Sequence, residues 1–235
     1  MCTTRRLMAA ASTLIATFWL SDAGAEEKWN FEIVPFVWAS GLNGQQSIGD
    51  VTANVDASFG DLFDFVNIGG WLRFSAHREP WSLYGEVAYV ELEEDGIGPL
   101  GNTEVAITQT IAEAGVSYWF SDILSIYGGV RYQDLDSEIG IGSGAAEDNQ
   151  SWADGVIGVQ LTPIASDNWL VWLRGDAGAG SSDLVWLAEG GIGYSWDEPY
   201  AVYFAYRLLD TDYQNDTFAY DMRQAGFMIG FGFRL

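Results

Sequence analysis

The chain closes on "FMIGFGFRL", Phe227 to Leu235. Phe227, Ile229, Phe231, Phe233 and Leu235 alternate with Met228, Gly230, Gly232 and Arg234. A period of two is that of a β-strand, whose successive side chains point to opposite faces. One face is a bulky apolar stripe and the other is nearly bare. In water such a stripe needs a covering layer; against lipid it needs none. Gly226, Gly230 and Gly232 then face the other way, into an interior with little room.

The alternation recurs along the chain, in segments at 29–42, 67–78, 81–94, 103–120, 123–139, 149–163, 168–180, 184–196, 199–212 and 218–235. Short connections sit at Arg78-Glu79-Pro80, Ser121-Asp122, 164–167 and Asp197-Glu198-Pro199. Longer Gly-rich or acidic ones are expected near 42–66, 95–102, 140–148 and 211–217, with a tight one at 181–183. Short turns at one end and longer loops at the other predict an all-β fold, a closed antiparallel up-and-down transmembrane β-barrel. Both termini of such a barrel lie on one side, so the strand number is even. The segment "VTANVDASF" (51–59) would be an eleventh strand, so it is read as an extension of the first long loop. That leaves about ten strands; eight or twelve also satisfy parity.

Trp81, Tyr118, Phe120, Trp169, Tyr194, Trp196 and Tyr200 flank the short turns, as an interfacial aromatic girdle does. A water-soluble barrel with an aromatic core shares the alternation. Three features favour lipid: faces that mix Gly, Ser and Ala with single charges, aromatics recurring at turn ends, and a final strand flush with the chain end.

Arg5 and Arg6 precede the apolar run Leu7 to Leu20, and Ala23-Gly24-Ala25 follows as a small-x-small cleavage site. Residues 1–25 therefore read as a secretory signal peptide, too short to span a membrane, and 26–235 as a single barrel domain. Removing the leader removes Cys2, the only cysteine, which excludes disulfides and thiolate chemistry from the mature chain. The full chain carries 10 Lys and Arg against 33 Asp and Glu; subtracting Arg5, Arg6 and Asp22 leaves 8 against 32, a net of −24. Nucleic acid is excluded as a partner, because its phosphates need basic side chains.

The segments 115–136 and 191–212 align without gaps at an offset of 76, matching Tyr118 with Tyr194, Tyr127 with Tyr203, Arg131 with Arg207, and Asp134 and Asp136 with Asp210 and Asp212. A weaker copy begins at Tyr84. Duplicated hairpins would leave such a trace. All three copies end in carboxylates, which read as a solvated rim more readily than as a divalent-cation site.

Facing inward, each short-turn hairpin offers arginine and acid. They are Arg73 and Glu86; Glu113 and Arg131; Asp154 with Arg174 and Asp176; and Glu189 and Arg207. Glu113 and Arg131 are symmetric about Asp122, and Glu189 and Arg207 about Glu198, so each pair is expected to face directly across its hairpin. Together these residues form an expected interior charge belt that cross-links the walls and narrows the lumen.

Catalysis has little to stand on. No G-x-S-x-G or H-E-x-x-H motif occurs. The single histidine, His77, lies at a short-turn end and reads as an interior or interfacial polar residue. No cofactor is expected.

The leader, the "YGGVRYQDLD" (127–136) and "YFAYRLLDTD" (203–212) hairpins and the terminal "GFMIGFGFRL" resemble the small outer-membrane β-barrel superfamily of Gram-negative bacteria, with its OmpW-like and opacity-type members. The resemblance spans 29–235. It implies the outer membrane as location, with lipid and lipopolysaccharide as surroundings. It also implies delivery by the barrel-assembly machinery through the C-terminal strand, although this chain ends in Leu235 where members end in Phe or Trp. The function implied is a narrow or plugged pore for small solutes, or an envelope structural protein; the alternative is a surface binding module that uses acidic outer loops.

Overall fold

The computed structural model describes residues 28–49, 51–57, 60, 66–98, 101–141, 144–197 and 199–235. The expected leader, 1–25, and most of "GDLFDF" (60–65) lie outside the described residues. Among the described residues eleven strands follow one another: β1 (Asn30–Ile48), β2 (Val51–Ala57), β3 (Val66–Arg78), β4 (Trp81–Gly98), β5 (Gly101–Trp119), β6 (Leu124–Ile141), β7 (Gly144–Ala165), β8 (Trp169–Gly180), β9 (Leu184–Asp197), β10 (Tyr200–Gln214) and β11 (Phe218–Arg234). Pairing is antiparallel throughout and joins chain neighbours, except that β3 pairs with β1 rather than with β2, and β1 closes on β11 from Glu32↔Arg234 to Ile48↔Phe218.

Ten strands form the wall. The eleventh, β2, folds back on the outer part of β1, Leu42↔Ala57 to Ile48↔Val51, while β3 takes the inner part, Asn30↔His77 to Phe36↔Trp71. The parity argument thus holds: 51–57 is a strand by hydrogen bonding, but an appendage of the first hairpin rather than a full stave.

The outer connections differ from expectation. In the stretches expected as loops near 95–102 and 140–148, residues 95–98, 101–102, 140–141 and 144–148 are strand. There β4 and β5 stay in register to Gly98↔Gly101, and β6 and β7 to Ile141↔Gly144. A tilted strand needs about 9–11 residues to cross a membrane, and β7 has 22. Pairing continues past the apolar band because backbone groups hydrogen-bond across the ladder whatever solvent surrounds it, while polar side chains can occupy both faces there.

Alternation assigns the faces. Leu83, Val87, Val116, Val130, Ile157, Leu173, Phe204 and Ile229 point outward and are exposed. A continuous apolar exterior of this extent belongs against lipid. Near the short turns, Trp81 packs edge-on to Tyr118, Tyr118 to Phe120, and Trp169 against Tyr194, which forms the inner girdle. Tyr89, Tyr132 and Tyr206 mark the outer edge; the Tyr89 and Tyr132 hydroxyls donate to Glu91 and Asp134 just beyond it. Trp81 to Tyr89 is eight steps, or ~26 Å of strand, suited to a tilted crossing. The barrel is transmembrane.

Glycine makes room where large rings fold into the lumen. A Cβ on Gly193 would stand 2.6 Å from the Tyr203 ring, and one on Gly232 2.7 Å from its other edge. This is the crowding expected of the bare face of the last strand.

Candidate functional site

Charged side chains converge at mid-depth in the lumen. Register brings them there. Arg73 faces Glu86, Glu86 faces Glu113, Glu113 faces Arg131 and Arg131 faces Asp154, in one row across β3 to β7. A second row runs Gln160, Arg174, Glu189, Arg207 and Gly226 across β7 to β11. Both pairs expected from turn symmetry, Glu113 with Arg131 and Glu189 with Arg207, stand directly opposite in the ladder.

The ion pairs do more than follow the ladder. Arg207 donates from Nε and Nη2 to Glu189 Oε2 at 2.8 and 2.6 Å, and reaches across to Glu86, with Nη2 to Oε2 at 2.9 Å and a second bond from Nη1 to Oε1. Arg73 donates Nε to Glu86 Oε2 at 2.8 Å and Nη2 to Glu189 Oε2 at 3.0 Å. The Trp172 indole supplies one more donor to Glu189, at 2.9 Å. Beside this quartet lies another. Arg131 binds Glu113 at 2.5 Å and Asp176 at 3.0 Å, Arg174 reaches Glu113 at 3.3 Å, and the Tyr127 hydroxyl donates to Asp176 at 2.8 Å. Each quartet holds two guanidinium groups and two carboxylates, so each is neutral as a whole. Desolvating charges is costly unless each finds partners, and here most bonds are charge-assisted.

Asp154 is the exception among the expected belt residues. It faces inward and is buried, but its carboxylate accepts from the Ser182 N–H and hydroxyl, both at 2.8 Å. It stands opposite Gly180, while Arg174 stands opposite Gln160. The expectation that Asp154 joins Arg174 and Asp176 in the belt is therefore corrected. The reason is tilt: a register row climbs a barrel whose strands are inclined. The row containing Arg73 has reached the outer turn by the time it arrives at Asp154. Asp176, four residues nearer the inner end than Gly180, takes the place beside Arg131.

Above the belt, side chains narrow the lumen around a further cavity of about 100 Å³, bounded by Trp71, Gln109, Tyr220 and Gln224 among others. Leu135, Trp152, Tyr213, Phe218, Tyr220 and Met222 form an apolar cluster, with Trp152 stacked on Tyr213 at 4.4 Å. Gln224 donates to Gln109 at 2.8 Å and Gln133 to Thr211 at 3.1 Å across the same space. At the belt itself a void of about 10 Å³ is bounded by Trp38, Glu86, Arg131 and Arg207, room for roughly one water. His77 lies at the inner end, one residue from the end of β3 and on the mouth of the lumen, bonded to Ser82 Oγ at 2.7 Å, with Trp119 donating to the same oxygen at 2.8 Å.

Sequence reasoning missed Trp172, Tyr127 and the links across the lumen. Trp172 and Tyr127 sit at inward positions two and four residues before Arg174 and Arg131, so the alternation carried a signal for them. The cross-lumen links had none in any single hairpin.

No family model and no curated protein sequence matches the chain. Among solved structures it is similar to Ail, the attachment invasion locus protein of Yersinia pestis, at 10% identity and TM-score 0.41, covering 89% of this chain and 99% of that one. It is also similar to Neisserial surface protein A, at 11% identity and TM-score 0.35, covering 87% and 96%. A third is the CymD monoaromatic hydrocarbon channel, at 10% identity and TM-score 0.37, covering 89% of each chain. Likeness at this level carries no functional argument, and the OmpW-like or opacity-type resemblance rests on the sequence features alone.

Proposed function

We propose that the protein is a non-enzymatic outer-membrane β-barrel whose lumen is closed at mid-depth, an envelope structural protein rather than an open pore. The observation that carries this is the pair of links across the lumen, Arg207 to Glu86 and Arg73 to Glu189. They tie β10 to β4 and β3 to β9, and a hydrated solute would have to break both. The apolar exterior between two aromatic edges supports a place in the outer membrane, with the short-turn end toward the periplasm. The surrounding partners are lipid and lipopolysaccharide, and the apolar outer face of β11 is the surface offered during assembly.

Conductance tests this. Refolded parent protein in a planar bilayer is expected to give no resolved channels. The double variant Arg207→Ala with Glu189→Ala, which removes two side chains from the belt, is expected to conduct. Steady channels in the parent overturn the closed reading.

A further inference from the structure

Beneath the belt, on the short-turn side, the lumen holds a cup of about 260 Å³. Arg73, Arg174 and Glu189 roof it, and Phe36, Trp119 and Trp172 are among its walls. It shares Glu32, Ser75 and His77 with a wider mouth at the inner end. The cup therefore opens inward, while the belt stands between it and the outer half.

The polar groups around the cup differ in what they have left to bond. Glu189 is held by Arg73, Arg207 and Trp172. Glu32 accepts from Tyr203 at 2.6 Å and from Arg234 at 3.3 Å. Arg174 is less well served. Its Nη2 makes long contacts, 3.3 Å to Glu113 and 3.9 Å to Asp176, and its buried Nε has no acceptor among the described residues. Its guanidinium lies over the Tyr127 and Tyr84 rings, 5.3 and 5.9 Å from their centroids. A buried donor without an acceptor is destabilising and calls for a partner.

We propose that the cup binds a small planar aromatic carboxylate arriving from the inner side. The Arg174 guanidinium, which lines the cup and is bonded only by long contacts, donates to the carboxylate, and the ring lies among Phe36, Trp119 and Trp172. Aromatic walls with a few placed polar groups are the usual make-up of a small-molecule site. An apolar cavity of about 150 Å³ accepts benzene, so this one has room for a benzoate with a substituent. The carboxylates around it are already satisfied, so the unmet need is for an acceptor, and a guanidinium prefers a charged one. The role goes beyond closure of the lumen and does not depend on it.

Binding of benzoate to the refolded full-length barrel tests the proposal, followed by equilibrium dialysis and by tryptophan fluorescence. Saturable benzoate binding is expected, with benzyl alcohol at least ten-fold weaker, or ~1.4 kcal/mol. Arg174→Gln is expected to erase that preference. Because Arg174 also holds Glu113, a second variant keeps the test open. Ser75→Trp, at the mouth and outside the ion-pair network, is expected to fill the cup and abolish binding of both compounds, while the unboiled protein still migrates as a closed barrel. Benzoate binding no tighter than benzyl alcohol binding in the parent overturns the proposal, as does unchanged benzoate binding by Ser75→Trp. A conducting parent would overturn the closed-lumen reading and leave these outcomes untouched.

Discussion

Arg207 on β10 and Glu86 on β4, 121 residues apart in sequence, meet across the lumen through two hydrogen bonds, one of them 2.9 Å from Nη2 to Oε2. The contact joins opposite walls, not neighbouring strands. Arg207 also holds Glu189, so a single guanidinium serves two buried carboxylates.

Removing that guanidinium leaves Arg73 as the one cation serving both acids. Arg207→Ala is expected to destabilise the barrel by about 3–5 kcal/mol, the scale for breaking a buried ion pair. Arg207→Ala with Glu189→Ala leaves Glu86 paired with Arg73 and should recover part of the loss. Urea unfolding of the two variants in detergent or lipid checks this; equal midpoints would mean that the belt residues do not couple.

Ile229 lies mid-band on the outward face of β11 and Phe233 near the inner girdle. Ile229→Lys is expected to cost about 2–4 kcal/mol and Phe233→Lys about 0–1, because the penalty for a lipid-facing charge rises toward the midplane. Folding yields into vesicles should rank the two in that order. A reversed ranking would contradict the depth assignment.

Gly232 makes room for the Tyr203 ring, whereas a Cβ on Gly85 would meet only a carbonyl oxygen at 3.9 Å. Gly232→Val is expected to lose about 1–3 kcal/mol through overpacking, and Gly85→Ala to be close to neutral. Parallel unfolding curves of the two variants decide it.

Beyond the outer girdle, Asp212 stands opposite Asp221 on the outward face, with Asp210 opposite Arg223. Partial burial, then Asp221, Asp183 and Asp210, push the Asp212 carboxyl above its ordinary value. The charged form is thus less favourable in the folded state than in the unfolded one. Asp212 costs stability above its folded pKa, and that cost disappears as pH falls to the ordinary aspartate range. Asp212→Asn is expected to stabilise modestly at pH 7, to make no difference near pH ~3 where both forms are neutral, and to matter less in high salt. Unfolding midpoints across that range test the sign.

Much of the barrel was legible because strand information is local. A period of two fixes which side chains share a face, and a short turn fixes the register of the two strands it joins. Phe227 to Leu235 gave the outward stripe, and Gly232 gave the crowded inner face. Symmetry about Asp122 and Glu198 gave the ladder pairs Glu113 with Arg131 and Glu189 with Arg207. The outer hairpins were misread as loops because Gly and acidic residues lower strand propensity, yet paired backbone carries them in the structure.

The amino-acid sequence by itself determined the alternating faces, the short turns and the supply of inward arginines and acids, since each depends on residues only a few positions apart. The tertiary structure decided which of those charges meet. Tilt lifts Asp154 to the Ser182 turn and sets Asp176 beside Arg131; closure of ten strands aims Arg207 at Glu86 and leaves the aromatic cup beneath them. Tilt and closure are properties of the whole ring, because each strand's height depends on the register of all the others.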